Sequence, residues 1–432
     1  MINICGCDIN KLNNVLKLLL GVLVLMFIIV YISKFVLKKM RKESKWLCLS
    51  DYNMSGIMND VLLDHDMVNT KIVSDDIIMV VPSGYDFIDH EIRIMENIDR
   101  VTKKPNVFFI LKGTDVLTSK DRLWSVINNT YGEHIASMFT PKTYIVSNES
   151  DITKFKDDNN ISRDNIVYKM DGFDGKLYIL KKNIQRQEGL KIMGTRDVAN
   201  MITYDRKLLS DYVVIQELLQ DPYMINDRKI NMRYYLLVVI KNVDVNKKVF
   251  KVYMYDDGFM YYTRNKFVKN SKNHDDNVTT GYIDRKVYDE NPLTHGEFYE
   301  YLNDDKRVKT VGEEFVMQHY LKYHKNLGDY LRGNVMELFK HVLEPYRNIL
   351  DSATDRVGGI SFQLYGADIA VGETLVPSLM EINKGPDMNA KDEKDRKLKY
   401  KCSMDVLKKV GIMRDECDNN GFVKLIDTVI VL

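Results

Sequence analysis

Three stretches of the chain place acids, amides or cations where the surrounding pattern asks for apolar strands. The first is SFQLYGADIAVGETLVPSLMEINKGPDM, from Ser361 to Met388. It reads as a hairpin that turns at VGET, with Gly372 near the tip. Residues two apart in a strand share a face, so Glu381 and Asn383 point one way while Met380 and Ile382 point the other. Folding back at Gly372 sets Asp368 opposite Glu381, within a residue or two. Asp368, Glu381 and Asn383 then converge, with Ala367 and Ile369 on the opposite face beside Met380 and Ile382. Such hard oxygens suit Mg²⁺, which takes one or two carboxylates and completes its shell with water and phosphate oxygens. Two close carboxylates are costly without a cation. A solvated polar face, common on half-exposed hairpins, is the other reading.

The second stretch is YVVIQELLQDPYMINDRKINMRYYLLVVI, from Tyr212 to Ile240. Gln216 and Glu217 close an apolar strand and could offer backbone groups to a purine edge. Lys229, Asn231 and Arg233 alternate on the next strand and share a face with Tyr235. Two cations flanking an amide on an apolar strand call either for an anionic ligand or for solvent. The third stretch, YKMDGFDGKLYIL, sets Lys169 and Lys176 around Gly172 and Gly175. A glycine turn with backbone N–H groups can line phosphates, and it can equally be an ordinary turn with surface lysines. It is not a P-loop, because GxxxxGK[ST] is absent.

These side chains need strands and helices to hold them. IIMVV and NVFFIL read as short strands, SKDRLWSVINNTYG as a helix closing on Gly132, and TPKTYIV as a strand entry. TRDVANMITYDRKLLS reads as a helix, KINMRYYLLVVI and KVFKVYMYDDGFMYY as long strands, and GEEFVMQHYLKYHKNLGDYLRGNVMELFKHVLEPYRNIL as helical. The fold expected is α+β, with mixed or antiparallel sheets and flanking helices. Its units are a tail, anchor and basic segment over 1–45, an N-terminal α/β domain over 46–150, a central subdomain over 151–217, a catalytic domain over 218–410 and an extension over 411–432. The charged run KDEKDRKLKY reads as a solvated face, with partner docking as the alternative.

Composition narrows the class. The 432 residues are 45% hydrophobic, enough for a sizeable core. The net charge of +1 gives no electrostatic reason for a nucleic-acid partner. The five cysteines, Cys5, Cys7, Cys48, Cys402 and Cys417, are scattered without zinc-type spacing and read as mostly reduced thiols.

In this order, the stretches resemble the tubulin tyrosine ligase-like branch of the ATP-grasp family, over about residues 105–390. The resemblance is carried by VVIQELLQDPYMINDRKINMRYYLLVV and FQLYGADIAVGETLVPSLMEINKGPDM. LTSKDRLWSVINNTYGEHIASMFTPKTYIV adds the family's Lys-Asp-x-Leu helix leading to a Pro-x-Thr strand. It implies an ATP-grasp-like fold with ATP and Mg²⁺ as cofactors. Lys169 matches the lysine that contacts the phosphates, and Gly172 to Lys176 match the loop over them. Gln216, Glu217 and Leu218 match the hinge facing adenine. Lys229 and Arg233, with Asn231 between them, match the catalytic positions near the phosphates and the incoming substrate. Asp368, Glu381 and Asn383 match the magnesium ligands. The implied reaction activates a carboxylate as an acyl phosphate, which an amine attacks to form an amide. It joins a free amino acid to a protein acceptor, tubulin among the candidates.

The chain departs from the pattern at four points. Asn231 stands where the family has Asp, and GFDGKLYI replaces a loop richer in Ser and Arg. Tyr261 stands where an Arg holds the free amino acid's carboxylate, with Arg264 three residues on. Thr280, in HDDNVTTGY, stands where Asn is expected. The nucleotide and metal positions are kept better than the amino-acid positions. A ligase for a non-tubulin or small-molecule acceptor, and an inactive scaffold, therefore stand as alternatives.

The N-terminus reads separately. LLLGVLVLMFIIVYIS, Leu18 to Ser33, carries no charge and with its flanks reaches the roughly 20 residues of a bilayer crossing. A single transmembrane helix is expected over about 15–37. Lys34, Lys38, Lys39, Arg41, Lys42 and Lys45 follow it, against Lys11 and Lys17 before it, so the catalytic region is expected to face the cytosol.

Overall fold

The computed structural model describes residues 19–27, 44–48, 56–81, 88–102, 106–161, 176–183, 189–304, 326–413 and 420–431. The apolar N-terminal run is helical over 19–27, nine residues with exposed side chains. Nine residues rise about 14 Å, less than half of the ~30 Å hydrocarbon core. No helix among the described residues is long and apolar enough to cross a membrane. This overturns the expected single-pass helix, the membrane contact made through it and the cytosol-facing localisation drawn from it.

The site is carried by two sheets. The larger has twelve strands and is built around Arg228–Asp244, a strand of 17 residues. Its side chains alternate between two cores. Tyr234, Leu236, Val238 and Ile240 enter one, and Tyr235, Leu237 and Val239 enter the other. Burial on both faces explains why YYLLVVI is continuously hydrophobic rather than alternating. This strand pairs antiparallel with Ile360–Val371, Lys247–Tyr255 and Phe259–Thr263. Ile360–Val371 continues the sheet in parallel through Val107–Phe108 to Ile77–Val81, Ser44–Cys48 and Met67–Thr70. The N-terminal strands and the C-terminal hairpin therefore share one sheet. Helices Lys120–Tyr131 and Leu327–Leu343 pack against one face, and Gly56–Asp64 and Glu393–Lys409 against the other.

The smaller sheet is antiparallel, in the order Thr143–Ile145, Val214–Glu217, Leu177–Lys181, Leu190–Gly194. Tyr144, Tyr178 and Leu180 pack with Phe155 and Ile202 of two helices on one side. Leu177 and Ile179 lie with Ile192 and Leu218 on the other. Together these elements form a mixed α+β architecture that fits an ATP-grasp-like body.

Two further expectations change. The charged run lies mostly in the helix Glu393–Lys409, which buries an Asp395–Lys399 ion pair at 2.9 Å, so it is not simply a solvated face. Residues 422–431, read only as an extension, form a strand against Lys247–Tyr255. Cys48 and Cys402 are buried; Cys5, Cys7 and Cys417 lie outside the described residues.

Close packing beside the central strand leaves no room at Gly258. A Cβ there would lie 2.2 Å from the Arg233 carbonyl oxygen and 2.5 Å from His295 Cε1. Gly258→Ala is expected to cost about 3 kcal/mol of stability in urea denaturation. Gly296→Ala, whose nearest contact would be 3.8 Å from the Thr294 hydroxyl, should be near neutral.

Candidate functional site

Strand register assembles the site. Arg233 of the central strand is the cross-strand partner of Asp368, and Asp368 is the partner of Glu381. The three residues line up across adjacent strands. The Arg233 guanidinium grips Asp368 with two bonds, Nε donating to Oδ1 at 2.5 Å and Nη2 to Oδ2 at 2.8 Å. Gly366 leaves the room for this, since a Cβ there would sit 3.1 Å from Arg233 Nη1 and from Pro386. Asn383 Nδ2 donates to Glu381 Oε1 at 3.0 Å. The register slips between Asp368 and Ile369, whose partner is Leu379, leaving Met380 as an extra residue. That bulge corrects the expected parity. Met380 lines a cleft beside Glu381, and Leu379 takes the core position.

The cleft runs between this hairpin and the smaller sheet. Lys181 and Gln216 form one wall, Met380 and Glu381 the opposite one, and Lys120 and Trp124 close it. Lys181 and Lys120 were not among the residues expected. Parity was the available signal for Lys181, because it follows Leu177 and Ile179 on the face turned away from Tyr178 and Leu180. Lys120 opens the helix of LTSKDRLW.

Charge is the dominant feature of the cleft. Burial pushes the Lys181 ammonium down to about 8, against the pull of Glu381. Burial and then Lys181 push the Lys229 ammonium to about 8, and its Nζ donates to the Leu219 carbonyl at 3.2 Å. Burial raises the Glu381 carboxyl, but Lys120 and Lys181 more than offset it and hold it below its ordinary value. Burial drives the Asp368 carboxyl up, against the pull of Arg233.

The remaining expected residues are placed as follows. Gln216 Nε2 donates to Thr143 Oγ1 at 2.9 Å, and its buried Oε1 has no partner among the described residues. Leu218 lies on the apolar patch with Leu177 and Ile179. Lys176, more than half exposed, is drawn into an ion pair at 2.8 Å with Glu217 of the strand Val214–Glu217. Lys169, Gly172 and Gly175 lie outside the described residues. Asn231 has a buried Oδ1 without a partner and pairs across strands with Tyr261. Arg233 lies 5.1 Å over the Tyr261 ring. Arg264 donates to Asp275 at 3.2 Å, and the Thr280 hydroxyl accepts from the Tyr282 N–H at 3.0 Å.

The donor set can be tested against the expected cofactors. No group of three or more His, Cys, Asp or Glu side chains that could hold a metal is present among the described residues. Two carboxylates and an amide form a sparse oxygen set of the kind that suits Mg²⁺ with phosphate and water ligands. Among the described residues, Lys120, Lys181 and Arg233 act on Glu381, Arg233 also grips Asp368, and Lys229 lies within reach of Lys181. A largely buried surplus of cations is costly until a polyanion enters. The orphaned Gln216 oxygen adds an acceptor awaiting a donor. These residues fit a magnesium nucleotide.

Comparison with known proteins identifies the family. Residues 108–419 match the tubulin-tyrosine ligase family. Tubulin polyglutamylase TTLL7 of Homo sapiens is 23% identical over 223 residues, 50% of this chain and 24% of that protein. Tubulin polyglutamylase TTLL5 of Homo sapiens is 25% identical over 215 residues, 48% of this chain and 16% of that protein. Probable tubulin polyglutamylase TTLL9 of Bos taurus is 23% identical over 206 residues, 48% of this chain and 40% of that protein. The chain thus spans less than half the length of each of these relatives. The family match extends over the smaller sheet, over the larger sheet's strands from Arg228 to Asn383 and over the whole Arg233–Asp368–Glu381 line, and the chain belongs to the tubulin-tyrosine ligase family.

Proposed function

We propose that the chain is an ATP-dependent carboxylate–amine ligase that joins an amino acid to a protein acceptor. The observation that carries this reading is the Arg233–Asp368–Glu381 line, with Lys120 and Lys181 acting on Glu381 across the cleft. Bound with Mg²⁺, ATP supplies the phosphoryl group that activates a carboxylate for amide formation. Asp368, Glu381 and Asn383 would hold the metal. Lys229 and Arg233, with Lys169, would neutralise phosphate charge and orient the carboxylate. Gln216, Glu217 and Leu218 would seat the base. The chain's contribution is fixed charge and positioning rather than a covalent intermediate.

The relatives are named tubulin polyglutamylases, which makes tubulin and glutamate the first acceptor and amino acid to test. Tyr261 and the engagement of Arg264 with Asp275 favour a second reading, in which the amino acid or the acceptor differs. Mass spectrometry of tubulin incubated with the protein, ATP and mixed amino acids separates the two. Added residues on tubulin support the first. ATP turnover without tubulin modification supports the second.

Glu381→Gln keeps the shape of the side chain and removes its charge. ATP turnover should fall at least about 100-fold while the melting temperature without nucleotide holds. Unchanged turnover would remove Glu381 from the site. Mg-ATP at about 100 times its Kd should stabilise the wild type by about 2.7 kcal/mol. Stabilisation without turnover would identify a scaffold.

The lysines give a pH signature. Lys181 and Lys229 titrate at about 8 in the folded chain, below the ~10.4 of a free lysine. Between those values the unfolded chain binds more protons, so these residues make stability rise with pH from about 8 to about 10. Affinity for a polyanion falls over the same window, as the ammonium groups lose their charge. Lys229→Met should flatten both trends, read by denaturation and by ATP titration at about pH 7 and about pH 9.

A further inference from the structure

We propose that Glu91 and Lys384 form a positioning pair that orients Asn383 as a metal ligand from outside the cleft, a role that rests on the magnesium-nucleotide reading above. Lys384 Nζ donates to Glu91 Oε2 at 2.9 Å, and the two side chains are only 9% and 3% exposed. Glu91 lies in the helix Ile88–Val101, and Lys384 follows the last residue of the strand Pro377–Asn383. Met95 and Ile98 of that helix pack with Leu47, Val80 and Phe108 of the N-terminal strands. The pair therefore ties the hairpin of Glu381 and Asn383 to the N-terminal unit. Burying two charges is costly, and an apolar pair of similar volume is often as stable or more so. A pair of this kind is better suited to fixing an orientation than to adding stability.

What it fixes is the segment over 383–386, which touches the site at both ends. Asn383 Nδ2 donates to Glu381 Oε1 at 3.0 Å, which leaves Oδ1 as its ligand atom for a cation. Pro386 lies against Gly366, where a Cβ would sit 3.1 Å from both Pro386 Cβ and Arg233 Nη1. Lys384 stands between these contacts and sends its side chain to the helix instead. Its carbonyl accepts from Gln363 Nε2 at 2.7 Å, and Gln363 is itself buried. Backbone and side chain of one residue are thus both anchored, directly beside Asn383. Partners that orient a metal ligand from outside its shell govern the affinity for the metal.

The test is calorimetric titration of ATP, in Mg²⁺ and in EDTA, into wild type, Lys384→Met, the double variant Glu91→Leu with Lys384→Met, and Ile98→Ala. Melting temperatures are taken in parallel. Lys384→Met leaves the Glu91 carboxylate buried without its ammonium and should lower the melting temperature. The double variant replaces the pair by apolar groups and should recover most of that loss. It should still lose about 10-fold of the affinity that Mg²⁺ adds to ATP binding, while metal-free ATP binds as in wild type. Ile98→Ala loosens the same helix without touching the pair and should keep the full magnesium gain. A wild-type magnesium gain in the double variant marks the pair as structural and overturns the proposal. Failure of the double variant to fold does the same, as does an equal loss in Ile98→Ala or a loss of metal-free affinity as large as the loss with metal. No ATP binding by wild type overturns the nucleotide reading itself. ATP binding by wild type without a magnesium gain overturns the metal reading and the role of the pair with it.

Discussion

The grip of Arg233 on Asp368 is the constraint around which the site is organised. Both side chains are only 13% exposed, in a sheet buried on both faces. An isolated charge at either position would be prohibitive, and the two-pronged geometry makes the pair tolerable. The neighbours accommodate it. Gly366 has no Cβ to obstruct the guanidinium, Gly258 lets the chain approach the Arg233 carbonyl, and Tyr261 offers its ring face to the cation. Register carries the constraint one strand further, to Glu381, and the bulge at Met380 lets Glu381 face the cleft while Leu379 stays in the core.

The smaller sheet completes the charge pattern. Its inner face is apolar at Leu177, Ile179, Ile192 and Leu218, and cationic at Lys181. A flat aromatic base suits the first part and phosphates suit the second. The Lys176–Glu217 pair ties the end of the glycine-bearing segment to the hinge strand. Being half exposed, it adds little stability and can exchange partners cheaply.

Strand parity was enough to find the acid–acid–amide set, because alternation is a backbone property that survives any fold built on that hairpin. Parity failed one residue earlier, at Met380, since nothing local in PSLMEIN marks a bulge. Lys181 was hidden for another reason. A lysine closing an apolar strand usually marks the return to solvent, and only the approach of the second sheet buries this one. The Asp395–Lys399 pair was hidden in the same way inside a charged run. The N-terminal run shows the opposite failure: composition supported a bilayer crossing, while the described helix covers nine residues. The cores were legible through the apolar runs. The union of the N-terminal and C-terminal strands in one sheet was not, because pairing between Val107–Phe108 and Ile360–Val371 has no local signature.

Two departures from the family pattern, separate in the sequence, become one in the structure. Asn231 and Tyr261 are directly opposed on adjacent antiparallel strands, so their side chains share a face. The family's residues at those places, Asp and Arg, carry opposite charges. Exchanging both for Asn and Tyr leaves the net charge of the patch unchanged. Losing the Asp alone would leave a cation unpaired beside Arg233, and losing the Arg alone would leave an acid unpaired beside Asp368. The paired exchange is therefore neutral in charge and lies next to an intact Arg233–Asp368–Glu381 line.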